Sequence, residues 1–72
     1  MRLAVLGERV RVEGYALAGA VVCPADGPAE IRSAWAALPG DVAILVLTSA
    51  AAHELDGALA GRPGLLTAVM PP

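Results

Sequence analysis

Six consecutive apolar residues, Val42-Ala43-Ile44-Leu45-Val46-Leu47, constrain this 72-residue chain more than any other feature. A strand with one wet face alternates apolar and polar side chains, and this run does not alternate. At six residues it is also too short for a buried helix. It therefore reads as a strand covered on both faces, the signature of a parallel sheet between helices. Three weaker runs resemble it: Arg2–Leu6 stopping at Gly7, Ala20–Cys23 ended by Pro24, and Leu65–Met70 closed by Pro71-Pro72.

The stretches between the runs have helical character. Asp26 or Gly27 is placed to cap a helix with Pro28 in its first turn, and Ile31, Ala34, Trp35 and Leu38 share one face. Thr48 or Ser49 is placed to cap another, with Ala52, Leu55, Ala58 and Leu59 on its stripe. Glu8–Leu17 mixes periods, and Gly19 is a plausible stop. Strands and helices alternating with short links specify one α/β domain over residues 1–72: a small open four-stranded parallel sheet, Rossmann-like or flavodoxin-like, of expected order 2-1-3-4, with three helices. Right-handed crossovers then put the first helix on one face and the second and third on the other. The chain ends at Pro72 before a last helix can join the first, so the face over the third and fourth strands is expected to be poorly covered.

Composition narrows the functional classes. Sixteen Ala and eight Gly make up a third of the residues, so the core is thin and an enclosed catalytic pocket is not expected. Five Arg against seven acids give a net charge of −2, without the basic cluster or the aromatic platform that nucleic acid requires. One Cys and one His disfavour a zinc site, and a lone Cys suits a reducing cytoplasm. The apolar stretches fall well short of the ~20 residues that span a bilayer, and no signal peptide is visible. The expectation is a cytoplasmic protein without direct membrane insertion.

The turn after the first strand is where a doubly wound fold holds a ligand. Here it reads Gly7-Glu8-Arg9-Val10-Arg11-Val12-Glu13-Gly14, with glycines seven apart and an acid that repels phosphate, so a dinucleotide site is disfavoured. A phosphoacceptor receiver domain shares the topology but needs paired carboxylates after the first strand and an aspartate after the third, where this chain has Thr48-Ser49. His53 reads as an exposed helix histidine rather than a base acting on Ser49, because no third group is spaced to orient its ring. Cys23 reads as a packed, inert thiol between Val22 and Pro24, Trp35 as a core residue, and Glu54, Asp56 and Arg62 as a solvated helix end. No catalytic set, cofactor or metal site emerges, and the chain is read as non-enzymatic.

One pattern is more specific. Gly7, then Val12-x-Gly14-Tyr15-x-Leu17-Ala18-Gly19 directly after an N-terminal apolar strand, resembles the F subunit of V-type and archaeal-type (A/V) rotary ATPases. Val42–Thr48 looks like that family's third strand running into a threonine-capped helix, and Leu65–Pro71 like its fourth strand with a following proline. The resemblance covers nearly the whole chain and lacks only the family's C-terminal extension. It implies a non-catalytic subunit of the central rotor stalk, peripheral to the membrane. Such a subunit docks on the coiled-coil D subunit and supports coupling of ATP turnover in the A/B head to proton or sodium transport.

Physical roles follow for the motif: Gly7 permits a tight strand exit, Gly14 and Ala18 form a smooth helix face against the sheet, and Gly19 takes a left-handed conformation. Glu8, Arg9, Thr48 and Ser49 at the carboxyl edge of the sheet, together with Tyr15, are the expected partner contacts. Two other classes remain open, a homodimeric binding or structural module and a sensor of anions or nucleotides.

Overall fold

A computed structural model describes residues 2–71, and for Ala18 the backbone alone. Four parallel strands, β1 (Arg2–Gly7), β2 (Val21–Pro24), β3 (Val42–Leu47) and β4 (Leu66–Val69), form one sheet in the order β2-β1-β3-β4. This is the small open α/β sheet of order 2-1-3-4 expected from the sequence. The fully apolar run is one of its two central strands. An irregularity between Arg2 and Leu3 pairs Arg2 with Val42 and Leu3 with Ile44, skipping Ala43. The skip brings Val42 onto the same face as Leu45 and Leu47.

The two faces are unequal. Ala4, Leu6, Val42, Leu45 and Leu47 meet Ile31 and Leu38 of the α2 region (helix Pro28–Ala36) and Ala51 and Leu55 of the α3 region (helix Ser49–Glu54) in one buried cluster. Val5 and Val12 are fully buried but lie outside that cluster, on the opposite face, beneath α1 (Arg9–Val12). The helix α1 is a single turn that continues as a 3-10 segment, Glu13–Ala18, and Gly19 ends it at φ 83° as expected of a left-handed stop.

Several local expectations change. Gly14 is exposed with nothing within 4 Å of where a Cβ would stand, so it does not bring a helix close to the sheet; Ala18's side chain lies outside the described residues. The 3-10 winding, three residues per turn, removes the shared face that an α-helix would give residues four apart. The third helix stops at Glu54 because Gly57 takes φ 88°, and Leu59–Gly61 continues as a 3-10 turn. Ala51 and Leu55 are consequently its buried pair, while Ala58 is exposed. Arg62 does not join Glu54 and Asp56 in solvent. Its guanidinium stacks 4.8 Å from the half-buried Trp35 ring and donates to the Trp35 and Leu38 carbonyls at 3.3 and 3.2 Å. Glu54 pairs instead with Arg32.

Gly7 is required for space. A Cβ there would lie 2.8 Å from Thr48 Cβ and nearer still to its Cγ2 and Oγ1. Thr48 cannot yield: it is fully buried, and its N–H donates to the Leu6 carbonyl at 3.1 Å. Gly7→Ala is expected to cost ~1–3 kcal/mol by overpacking. Thr48→Ser removes Cγ2, so in urea unfolding the double variant should be less destabilised than the sum of the singles.

Candidate functional site at the carboxyl edge

In an open α/β sheet the ligand crevice forms outside the carboxyl ends of the strands, where the order reverses. In this chain that point lies between β1 and β3. The cleft beside it, about 550 Å³, is lined by Glu8, Asp26, Gly27, Pro28, Ile31, Ser49, Ala50, His53 and Glu54, from the starts of α1 and α2 and the length of α3.

The polar groups of the cleft are largely committed to one another. The Thr48 hydroxyl donates to Glu8 Oε1 at 2.6 Å and accepts a long bond from Ala51 N–H at 3.4 Å, capping α3. Asp26 Oδ1 accepts from Arg9 N–H at 2.9 Å. The aspartate thus satisfies the start of α1, and Gly27 is the residue that begins α2, without a side-chain cap. Glu54 is held by Arg32. Three carboxylates therefore line the cleft, a charge that opposes phosphate and nucleotide.

His53 is exposed on α3, the plain helix histidine anticipated from its spacing. Among the described residues no cluster of three His, Cys, Asp or Glu is arranged to hold a metal ion, and no buried side-chain polar atom lacks a partner.

The five expected contact residues do not form one surface. Glu8 and Ser49 line the cleft. Arg9 is exposed at the start of α1, and Tyr15 lies on the 3-10 segment, outside the cleft. Thr48 has no exposed surface, so it positions Glu8 and α3 and cannot itself touch a partner. Sequence reasoning missed Asp26 as the cap of α1. The partners stand seventeen residues apart, and no local capping pattern signals a cap supplied from another loop.

The more distinctive surface is elsewhere. Register places Leu3, Val5, Ile44, Val46, Leu66 and Ala68 on the face opposite the main cluster. Val5 is covered, Ile44 and Val46 of β3 are half-buried, and Leu66 of β4 is 68% exposed; Leu3, near the start of β1, is 38% exposed. This is the thinly covered patch over the third and fourth strands that the crossover rule anticipates. Val10, Leu17 and Tyr15 add exposed apolar surface on the α1 side of the sheet.

Cys23 is half-buried at the end of β2, and burial pushes its thiol above the ordinary range. Comparisons of the chain with protein-family models, with curated proteins and with solved structures found no match.

The raised thiol has a checkable sign. The folded state holds the Cys23 proton more tightly than the unfolded one, so its contribution is complete below the unfolded thiol's pKa, about 8.5, and is lost as pH rises beyond it. Iodoacetamide at pH 8 should label Cys23 more slowly in the folded chain than in urea. Equal rates would contradict the burial argument.

Proposed function

We propose that this chain is a non-catalytic docking domain whose open sheet face, from Leu3 through Ile44 and Val46 to Leu66 and Ala68, receives a protein partner. The carrying observation is Leu66, 68% exposed on an apolar face that it shares with Ala68 and the half-buried Ile44 and Val46. A continuous apolar surface of this kind gains by being covered, whereas the acidic cleft is already internally bonded.

The partner follows from the resemblance of Gly7 and the Gly14–Gly19 segment. In this reading the face lies against the coiled-coil D subunit of a V/A-type rotary ATPase, below the A/B head. The domain contributes shape and adhesion to the rotor stalk and no chemical step. It works on the cytoplasmic side, peripheral to the membrane; no helix among the described residues is long and apolar enough to cross one. Tyr15 belongs to the 3-10 segment packed against β2 and Arg9 to the start of α1, so neither carries this reading; the contacts it invokes are those of β3 and β4. A homodimeric module is the second reading, favoured by the exposure of all four residues of β4.

Affinity capture from the source cells with a tagged chain tests the proposal. The wild type is expected to recover the D, A and B subunits of a rotary ATPase. Leu66→Asp should abolish that recovery while changing stability by no more than about 0.5 kcal/mol, as for an exposed site. Undiminished capture by Leu66→Asp would remove the face from the account, and recovery of the chain alone would remove the rotor partner.

A further inference from the structure

The geometry points to self-association through the outer edge of β4, where a second copy of the chain adds its own β4 antiparallel and joins two four-stranded sheets into one. This inference concerns the edge of the sheet and stands independently of what covers its face.

The edge is open along Thr67 and Val69 and stops at Pro71, which has no N–H to offer. The Met70 N–H donates to the Leu47 carbonyl at 2.7 Å. Ladder alternation then turns the N–H and C=O of Leu66 and Ala68 toward β3 as well, and those of Thr67 and Val69 outward. Outward backbone groups on an edge strand are a template for another strand. Natural sheets usually block such a template with Lys, Pro, a bulge or a covering loop. Leu65–Met70 contains no charged residue and no proline, and all four β4 residues are exposed, Val69 by 55%. The opposite edge differs: β2 is half-buried, and its proline, Pro24, lies within the strand.

The edge is also complementary to itself. In an antiparallel register centred on Ala68, Thr67 of each copy faces Val69 of the other, and the two exchange their outward N–H···O bonds. Ala68 faces Ala68 as a non-hydrogen-bonded pair, where Cα atoms approach to about 4.5 Å and a methyl group is well accommodated. Thr67 and Val69 make β-branched cross-strand neighbours of the kind that stabilise sheets. No like charges meet across the axis. Arg62 is engaged by Trp35 and two carbonyls, and Arg11 by the Pro71 carbonyl at 2.9 Å. A four-residue strand gives a contact well below the ~1,200 Å² of standard stable interfaces. The dimer is therefore a concentration-dependent one.

Sedimentation velocity on the pure chain, from micromolar to millimolar, tests both the edge and its register. The wild type is expected to shift from monomer to dimer across that range. Ala68→Lys and Ala68→Glu each place like charges opposite one another and should stay monomeric at the same concentrations. Their circular dichroism should be unchanged, since Ala68 is exposed. An equimolar mixture of the two variants should restore the dimer, because Lys then faces Glu. Thr67→Pro provides a second probe. It removes an outward N–H without touching the ladder to β3, and should also give a folded monomer. A wild type that is monomeric throughout overturns the inference, as does a dimer that persists in both single-charge variants or a mixture that fails to rescue.

Discussion

The close approach of Thr48 to Gly7 is the constraint on which the rest of the structure depends. It sits between the carboxyl ends of the two central strands, where β1 leaves the sheet toward α1 and β3 leaves toward α3. The threonine backbone ties to Leu6, its hydroxyl reaches Glu8, and its oxygen caps α3. The absence of a side chain at Gly7 lets all of this fit. A doubly wound fold that binds a ligand keeps this point open, with backbone N–H groups facing the crevice. Here a buried threonine and its glutamate partner fill it. One packing event thus fixes the sheet and sets the character of the edge beside it.

The second constraint is the economy of a thin core. Small residues let α2 and α3 lie close over Leu6, Leu45 and Leu47, and one face is sealed. On the other face, among the described residues, Val12 of the short α1 is buried with Val5, the 3-10 segment lies against β2, and beyond them the apolar surface runs out to Leu66. A domain of this size buries only ~60% of the surface its unfolded chain exposes. Covering the open face would therefore add stability, and in the proposed reading the partner supplies that burial.

Much of this was legible in the sequence. The unbroken apolar run predicts a central strand, although only one of its faces is sealed. The alternation of such runs with helical stretches predicts a parallel α/β sheet; the order 2-1-3-4 is the common one for that topology rather than something the residues specify. Gly19 was readable as a left-handed stop because few other residues adopt that conformation. What sequence reasoning missed was tertiary. The reason for Gly7 lies forty-one residues away at Thr48, and Asp26 serves the helix before its own strand rather than the helix after it. The 3-10 winding of Glu13–Ala18 undoes an argument built on α-helical spacing. Arg62 was expected in solvent, since nothing nearby in sequence signals its ring partner.

The central claim is that the open sheet face, and not the carboxyl-edge cleft, is the surface through which the domain acts. Amide hydrogen exchange of the chain alone and bound to a purified D subunit tests it most directly. The account predicts new protection in β3 and β4, around Ile44, Val46, Leu66 and Ala68, with the loops at Glu8, Asp26 and Ser49–His53 unchanged. Protection confined to those loops, with β4 exchanging as freely as before, would contradict it.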